Sequence, residues 1–249
     1  MHEMHFDGNE GLTHYLSIRH FESLVRNRCL YLRRQDLQEK DHADGTFPAA
    51  NRVTLHRRDV ALMRSLGQTE ERAMALAANY QGGNEYARQR HYLHCWTIRD
   101  EESRWMWELH GGRGQGVCIK TTVRRLCQAV GGDRFKGHHG GDFDLKLEPV
   151  VYSDEGEPFP TWPSYAIAFR KIKIPGHVAE AEARLLACDY KFDNPIGPEG
   201  EFLPVCFGRL FQAVYLGSKI PNDEFARIEA LTNAVAGSRV VRPSATVFN

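Results

Sequence analysis

Two acidic residues stand two positions apart in the segment Glu180-Ala-Glu182-Ala-Arg184, and an arginine follows two positions later. If this segment is an extended strand, both carboxylates lie on the same face of it. A carboxylate held in place can stabilise the positive charge that develops on a sugar ring when a glycosidic bond breaks. The alternative is an ordinary exposed strand on which acidic and apolar residues alternate, and the segment alone leaves both interpretations open.

Two further segments carry side chains that could complete such a site. His14-Tyr15 near the N-terminus supplies an imidazole and a phenol, and Trp96-Thr97 in the middle of the chain supplies an indole and a hydroxyl. Both have a structural alternative. His14 could be a hydrogen-bonded histidine of the core, and Trp96 could fill the core because a large indole is buried in most folds.

Other motifs argue against other kinds of site. Gly112-Arg-Gly-Gln-Gly116 lies between a predicted helix and a predicted strand, whereas a phosphate-binding loop needs a strand, then glycines, then a helix. His91 and His94 fall on opposite faces of a predicted strand and are therefore poorly placed to share a metal ion. His138-His139 lies in a glycine-rich segment that is interpreted as a solvated loop. We therefore expect no bound metal.

The composition is that of a globular protein without a strong global electric field. Of 249 residues, 42% are hydrophobic, and 32 basic residues balance 32 acidic ones. No apolar run is long enough to span a membrane, and the N-terminus lacks the basic start and apolar stretch of a signal peptide. Six cysteines without paired spacing fit buried thiols in a reducing compartment. We expect a cytoplasmic protein that does not associate with membranes.

Hydrophobic periodicity predicts a mixture of helices and strands without internal repeats. Helices are predicted over residues 18–28 with Ser17 as the N-cap, 51–80 with a break at Gly67, 103–110, 122–130 and 222–235. Strands are predicted over residues 29–33, 91–98, 116–121, 146–153, 210–216 and 239–248, and residues 131–144 are predicted to form a loop. We expect a single α+β domain that covers residues 1–249.

Several fragments, taken in order along the chain, resemble the bacterial family called domain of unknown function 2971. The fragments are Leu12-Thr-His14-Tyr15, Cys95-Trp96, Glu102-Ser103, Met106-Trp107, Gly116-Val-Cys-Ile119, Val151-Tyr152, Glu180-x-Glu182-x-Arg184 and Arg242-Pro243-Ser244. Together they cover nearly the full length, and the combination is more specific than any single fragment. One departure is visible, because the family usually has a tyrosine where this chain has His110.

The resemblance includes a distant likeness to ADP-ribosyltransferases, which implies a fold and a set of roles. The implied fold is a single α+β domain with a split or twisted, mostly antiparallel central sheet flanked by helices. NAD would be the co-substrate, Glu182 would stabilise the oxocarbenium-like ribose, and Glu180 would orient or activate the acceptor. The residues implied to contact NAD are His14, Tyr15, Trp96, Thr97, His110 and Arg184.

The function implied by this likeness is an NAD-consuming transferase or glycohydrolase. Such a protein would act as a toxin or phage-defence effector on a protein or nucleic-acid acceptor, and a partner protein encoded nearby would fit that role. Two alternatives stay open. A non-catalytic module of the same fold would bind a nucleotide or a protein without turnover, and a metal-dependent nucleic-acid-processing enzyme would need a metal ion for activity.

Overall fold

A large β-sheet organises the chain in the computed structural model, which describes residues 6–38, 49–138, 140–154, 168–173, 175–189, 197–237 and 241–246. The strands are β1 (Gly11–Ser17), β2 (Cys29–Arg34), β3 (His91–Ile98), β4 (Gly116–Thr122), β5 (Arg134–Lys136), β6 (Asp142–Pro149), β7 (Val151–Ser153), β8 (Arg170–Ile172), β9 (Glu182–Cys188), β10 (Gly200–Pro204), β11 (Ala213–Leu216) and β12 (Val241–Pro243).

Ten of these strands form one sheet in the order β12-β11-β4-β1-β3-β9-β6-β5, and β2 joins it at β3 and pairs on its other side with β10. Neighbouring strands of this sheet are antiparallel except for β11 and β12, which are parallel. A separate parallel pair is formed by β7 and β8. The prediction of an α+β fold with a mixed, mostly antiparallel central sheet is confirmed.

Eight α-helices are found among the described residues. They are α1 (Ile18–Asn27), α2 (Ala49–Ser65), α3 (Glu70–Arg88), α4 (Arg104–Leu109), α5 (Val123–Val130), α6 (Pro175–Glu180), α7 (Phe207–Leu210) and α8 (Asn222–Ala236). Short 3₁₀ turns span Gln35–Leu37 and Gly112–Gly114. None of the described helices combines the length and the apolar character that crossing a bilayer requires.

Local sequence signals place α1 beside the sheet. The Ser17 hydroxyl accepts a hydrogen bond from the His20 backbone N–H at 3.3 Å, which confirms the predicted N-cap. Phe21, Leu24 and Val25 follow at helical spacing and are all buried. The helix therefore packs on the sheet immediately after β1, and its side chains can line the space beside that strand.

The two faces of the sheet bury different groups. The main core packs α1, α5, α7 and α8 against the face that carries Leu12, Trp96 and Leu185, and we call this the core face. On the reverse face, Leu186 and its neighbours pack against Phe169. Because side chains alternate along a strand, neighbours of Trp96 such as Thr97 point to the reverse face.

The sheet divides at β3. One edge of β3 pairs with β9 along the residues from His91 to Thr97. The other edge is shared by two strands that pair with it at opposite ends: Leu12 and Thr13 of β1 lie opposite Ile98 and Thr97, and Arg33 and Arg34 of β2 lie opposite Leu93 and Tyr92. Between these contacts β1 and β2 part, and we call this gap the fork.

Three sequence predictions about secondary structure were wrong. The predicted single strand over residues 146–153 is divided between β6 and β7, which lie in different sheets. The glycine-rich stretch predicted as a loop contains the antiparallel pair β5–β6, which Phe135 and Phe143 support by stacking at 5.1 Å between ring centroids. The predicted strand over residues 210–216 starts later, because Leu210 ends α7 and β11 begins at Ala213. The stacking of Phe135 on Phe143 and the burial of Leu210 in the main core are tertiary contacts that override the local pattern in those two places.

Candidate functional site

A cleft of about 810 Å³ opens in the fork, and this volume lies within the range of about 300–1,000 Å³ that small-molecule sites occupy. Its walls come from β1, α1, β2, the centre of β3, the end of α4 and the segment that enters β10. The lining residues are His14, Tyr15, Leu16, Ser17, His20, Ser23, Leu24, Asn27, Cys29, Tyr31, Arg33, His94, Leu109, His110, Glu199 and Phe202. Predicted residues His14, Tyr15 and His110 are thus brought together.

Two histidines lie side by side in the fork. The rings of His14 and His94 have centroids 4.4 Å apart, and both rings also lie near Trp96, at 5.3 Å and 5.4 Å. His14 Nδ1 lies 2.9 Å from the carbonyl oxygen of Cys95, and His94 Nδ1 lies 3.0 Å from that of Tyr31. Each ring is therefore fixed by a backbone group, one on β3 and one on β2.

Burial keeps both imidazoles neutral. It lowers the pKa of His94 to about 4, and burial together with the neighbouring His94 lowers the pKa of His14 well below its ordinary value. A carbonyl oxygen can only accept, so the proton of each neutral ring is on Nδ1 and each Nε2 carries a lone pair. The two histidines consequently present hydrogen-bond acceptors.

Aromatic and charged side chains stand on the β2–β10 side of the cleft. Tyr31 and Phe202 lie opposite each other in the ladder, with ring centroids 5.3 Å apart, and their exposed fractions are 43% and 37%. Arg33 and Glu199 line the same wall. An exposed aromatic pair beside a cation and a carboxylate can hold a planar ring that carries charged substituents.

The backbone before β10 is held against β2, which fixes the position of Glu199. The Arg34 backbone N–H donates to the Glu199 carbonyl at 2.9 Å, and the Arg34 guanidinium donates to the Gly197 carbonyl at 2.7 Å. The same guanidinium pairs with Asp36 at 2.7 Å. Glu199 is exposed at the cleft, whereas Glu201, two residues later, is buried and accepts from the His138 backbone N–H at 2.9 Å.

Tyr15 and His110 are placed by contacts around α4. Tyr15 packs edge-on against Trp107, and its hydroxyl accepts from the Ser103 backbone N–H at 2.7 Å. Burial raises the pKa of Tyr15 far above its ordinary value, so the phenol stays protonated. Trp107 Nε1 donates to Glu102 at 2.9 Å, and Glu102 also accepts from the Ser244 hydroxyl. Four fragments of the family resemblance thus meet here, and they set the end of α4 at which His110 is exposed.

The remaining predicted residues lie elsewhere. Thr97 and Glu182 are partners in the β3–β9 ladder, on the edge of β3 away from the fork, and both are buried. Neither lines the cleft, so of these residues that the likeness implies to act on NAD, His14 lies in the cleft and Thr97 and Glu182 do not. Trp96 is 2% exposed and belongs to the main core, although its ring lies close to both histidines.

Glu182 and Arg184 form a buried ion pair on the reverse face. The guanidinium donates to the carboxylate at 2.7 and 3.2 Å, and the ammonium of Lys171 lies 2.8 Å from the same carboxylate. Burial alone would raise the pKa of Glu182, but the two cations outweigh it and lower the pKa to about 2. Tyr152 completes the surroundings, since its hydroxyl accepts from the Glu182 backbone N–H at 3.2 Å.

Glu180 does not share a strand with Glu182. It ends α6, and Ala181 then adopts a left-handed backbone conformation with φ of 44° before β9 begins. The predicted common strand face for the two carboxylates is therefore wrong. They still approach the same ammonium, because Lys171 Nζ lies 3.8 Å from Glu180 and 2.8 Å from Glu182.

Sequence reasoning missed the side chains that complete the cleft. His94 was considered only as half of a metal pair with His91, and Tyr31, Arg33 and Phe202 carry no motif. Glu199-Gly-Glu201 repeats the spacing of the acidic pair near residue 180 and was the signal that could have drawn attention to this wall.

No group of three or more histidine, cysteine, aspartate or glutamate side chains within the described ranges is placed to hold a metal ion. His139, one of the two adjacent histidines considered as ligands, lies outside those ranges. None of the six cysteines, all of which lie within the described ranges, forms a disulfide bond.

Comparison with known proteins gives no identification: no family model, no curated protein and no solved structure matches the chain. The resemblance to the unknown-function family stays a prediction.

Proposed function

We propose that the protein binds NAD in the cleft of the fork and cleaves its nicotinamide–ribose bond, transferring ADP-ribose to a macromolecule or to water. The observation that carries this proposal is the meeting of neutral histidines, an exposed aromatic pair, a cation and a carboxylate in one cleft of about 810 Å³. Those groups match the parts of a dinucleotide: hydroxylated sugars, flat bases and a charged pyrophosphate.

In this proposal the carboxylate role passes from Glu182 to Glu199. The negative charge of the Glu182 carboxylate is already balanced by the cations of Arg184 and Lys171, and Glu182 does not line the cleft. Glu199 is exposed on the cleft wall beside Tyr31 and Phe202, and its backbone is fixed by Arg34. A carboxylate preorganised beside the sugar stabilises charge in the transition state without reorganising.

The chemistry needs one bond to break and one to form. The bond between the ribose C1′ and the nicotinamide nitrogen breaks, and its electron pair leaves with nicotinamide. The positive charge that develops on the ribose is stabilised by Glu199 until a lone pair of the acceptor attacks C1′, and the acceptor then loses its proton. Tyr31 and Phe202 provide a surface for a flat ring.

The test is turnover of NAD labelled on its adenosine half, with release of nicotinamide and label on protein and nucleic acid followed separately. Wild type, Glu199→Gln and Glu182→Gln are compared, each normalised to the folded fraction and each assayed with and without cell lysate. Glu199→Gln should lower turnover about a hundredfold or more, since this is the usual cost of removing one preorganised electrostatic group. Glu182→Gln should keep its turnover per folded molecule.

Three results would contradict the proposal. Turnover that persists in Glu199→Gln removes that carboxylate from the mechanism. Loss of turnover confined to folded Glu182→Gln returns the role to the originally predicted glutamate. Binding of NAD without release of nicotinamide in any fraction would establish a nucleotide-binding module instead.

A further inference from the structure

His94 is a buried side chain whose outer nitrogen is unused. The residue is 8% exposed and lines the cleft, and its Nδ1–H donates to the Tyr31 carbonyl. Within the described part of the chain, His94 Nε2 is buried and has no hydrogen-bond partner. An acceptor left in this state costs free energy, so its retention at a cleft points to a group that the ligand supplies.

His14 presents the same chemistry beside it. Its Nδ1–H donates to the Cys95 carbonyl, so its Nε2 also carries a lone pair, and the two rings are 4.4 Å apart. The carbonyls that fix the two rings belong to different strands, β3 and β2. The two histidines are therefore held by both sides of the fork. Each ring uses its only N–H on a backbone carbonyl and leaves Nε2 as an acceptor.

The chemical consequence is a preference for hydroxyl groups. Two adjacent acceptors bind two adjacent donors, which the neighbouring hydroxyls of a ribose provide, whereas phosphate and carboxylate oxygens have no proton to give at neutral pH. Among the described residues, the buried indole N–H of Trp96 also has no partner, and its ring centroid is 5.4 Å from that of His94. A ligand hydroxyl can donate to His94 Nε2 and accept from an N–H group such as that of Trp96, so a hydroxyl suits this pair of unsatisfied atoms.

We propose that His94 is a specificity-determining residue which, together with His14, recognises adjacent unmodified hydroxyls of a ribose. This inference rests on the proposed function in naming NAD as the ligand, but it concerns binding and does not need turnover. It assigns the substrate class of the cleft as a ribonucleotide with a free cis-diol. A ligand that carries a phosphate on that sugar, or lacks one of its hydroxyls, should be bound less tightly.

The experiment is isothermal titration calorimetry with NAD and with four NAD analogues, each lacking either the 2′- or the 3′-hydroxyl of one of the two riboses. Wild-type protein should bind the two analogues modified on one ribose about tenfold more weakly than NAD, the upper end of what one hydrogen bond contributes. His94→Phe should bind NAD and one of these two analogues equally, because only the hydroxyl that donates to His14 still contributes. His94→Gln keeps one donor for the Tyr31 carbonyl and one acceptor for the ligand, so it should retain discrimination. It also serves as the folded variant if His94→Phe does not fold.

His56→Phe is the control, because His56 lies on α2 and does not line the cleft. It should discriminate between NAD and the analogues as wild type does. Equal affinity of wild type for NAD and all four analogues would overturn the inference, as would undiminished discrimination against every analogue in folded His94→Phe, and so would the absence of any NAD binding. Discrimination that depends on His94 in a protein that releases no nicotinamide would uphold the inference while the proposed function fails.

Discussion

Replacing Glu182 by glutamine tests whether the cluster of Glu182, Arg184 and Lys171 stabilises the fold or performs chemistry. The carboxylate is 5% exposed and lies within 2.8 Å of both cations. Arg184 and Lys171 outweigh burial and lower the pKa of Glu182 from 4.5 to about 2. Since one pKa unit corresponds to about 1.4 kcal/mol, the ionised carboxylate contributes about 3 kcal/mol to the free energy of unfolding at neutral pH.

The dependence on pH has a definite sign. Because the folded-state pKa lies below the unfolded value, the contribution is complete above about pH 4.5 and is lost as the pH falls towards 2. Glutamine is neutral throughout, so Glu182→Gln should be about 3 kcal/mol less stable than wild type at pH 7 and should converge with it in acid. Urea unfolding followed by circular dichroism at a series of pH values measures this difference. In thermal unfolding at pH 7, the same loss corresponds to about 6–12 °C.

Glu180→Gln provides the control on the same ammonium. Glu180 lies 3.8 Å from Lys171 Nζ and is only partly buried, so its loss should cost less than about 1 kcal/mol. The reasoning fails if Glu182→Gln is as stable as wild type, or if the difference between them does not shrink as the pH falls. Unchanged stability combined with lost turnover would make Glu182 a catalytic residue.

Three other perturbations have definite expected outcomes. Tyr31→Ala should weaken NAD binding several-fold in calorimetry while Tyr31→Phe keeps it, because the ring that packs on Phe202 matters more than the hydroxyl; equal loss in both variants would contradict a stacking role. The Thr122 hydroxyl accepts a hydrogen bond from the Arg125 backbone N–H at 3.2 Å at the start of α5, so Thr122→Ala should lower the free energy of unfolding by about 1 kcal/mol. Thr122→Ser keeps the hydroxyl and should not lower it. Chemical denaturation of the two variants measures the difference. Burial lowers the pKa of His91 and of His94 to about 4, so the unfolded chain binds more protons than the folded protein below pH 6.5. The free energy of unfolding of wild type should therefore fall as the pH falls from 6.5 to 4, and that of His91→Gln should fall less. An identical pH dependence of stability in the two proteins would refute the role of His91.

Much of the secondary structure follows from short-range signals. Ser17 caps α1 as predicted, Thr122 caps α5 at the start of the predicted helix, and β3 spans the predicted residues from His91 to Ile98. The break predicted at Gly67 separates α2 from α3, with the glycine at a φ of 83°. These features depend on residues within one or two turns of each other, which is the range over which the sequence pattern is informative.

The candidate site was less predictable because it depends on contacts between distant segments. Alternation in Glu180-Ala-Glu182 suggested one strand, yet the positive φ at Ala181 ends a helix and starts a strand between the two acids. Thr97 and Glu182 are ladder partners, and the register that turns them away from His14 is set by three strands. The fork itself exists only because β1 and β2 share one edge of β3.

The fork also determines how the cleft can change width. One wall belongs to the ladder of β1 and β4, and the other belongs to the ladder of β2 and β10, which pair along five residues. Each ladder meets β3 through only two residue pairs on this edge. We therefore expect small rotations of the two ribbons about these attachment points to widen or narrow the cleft without breaking a hydrogen bond within either ribbon. Ligands of different thickness could then bind in the same cleft.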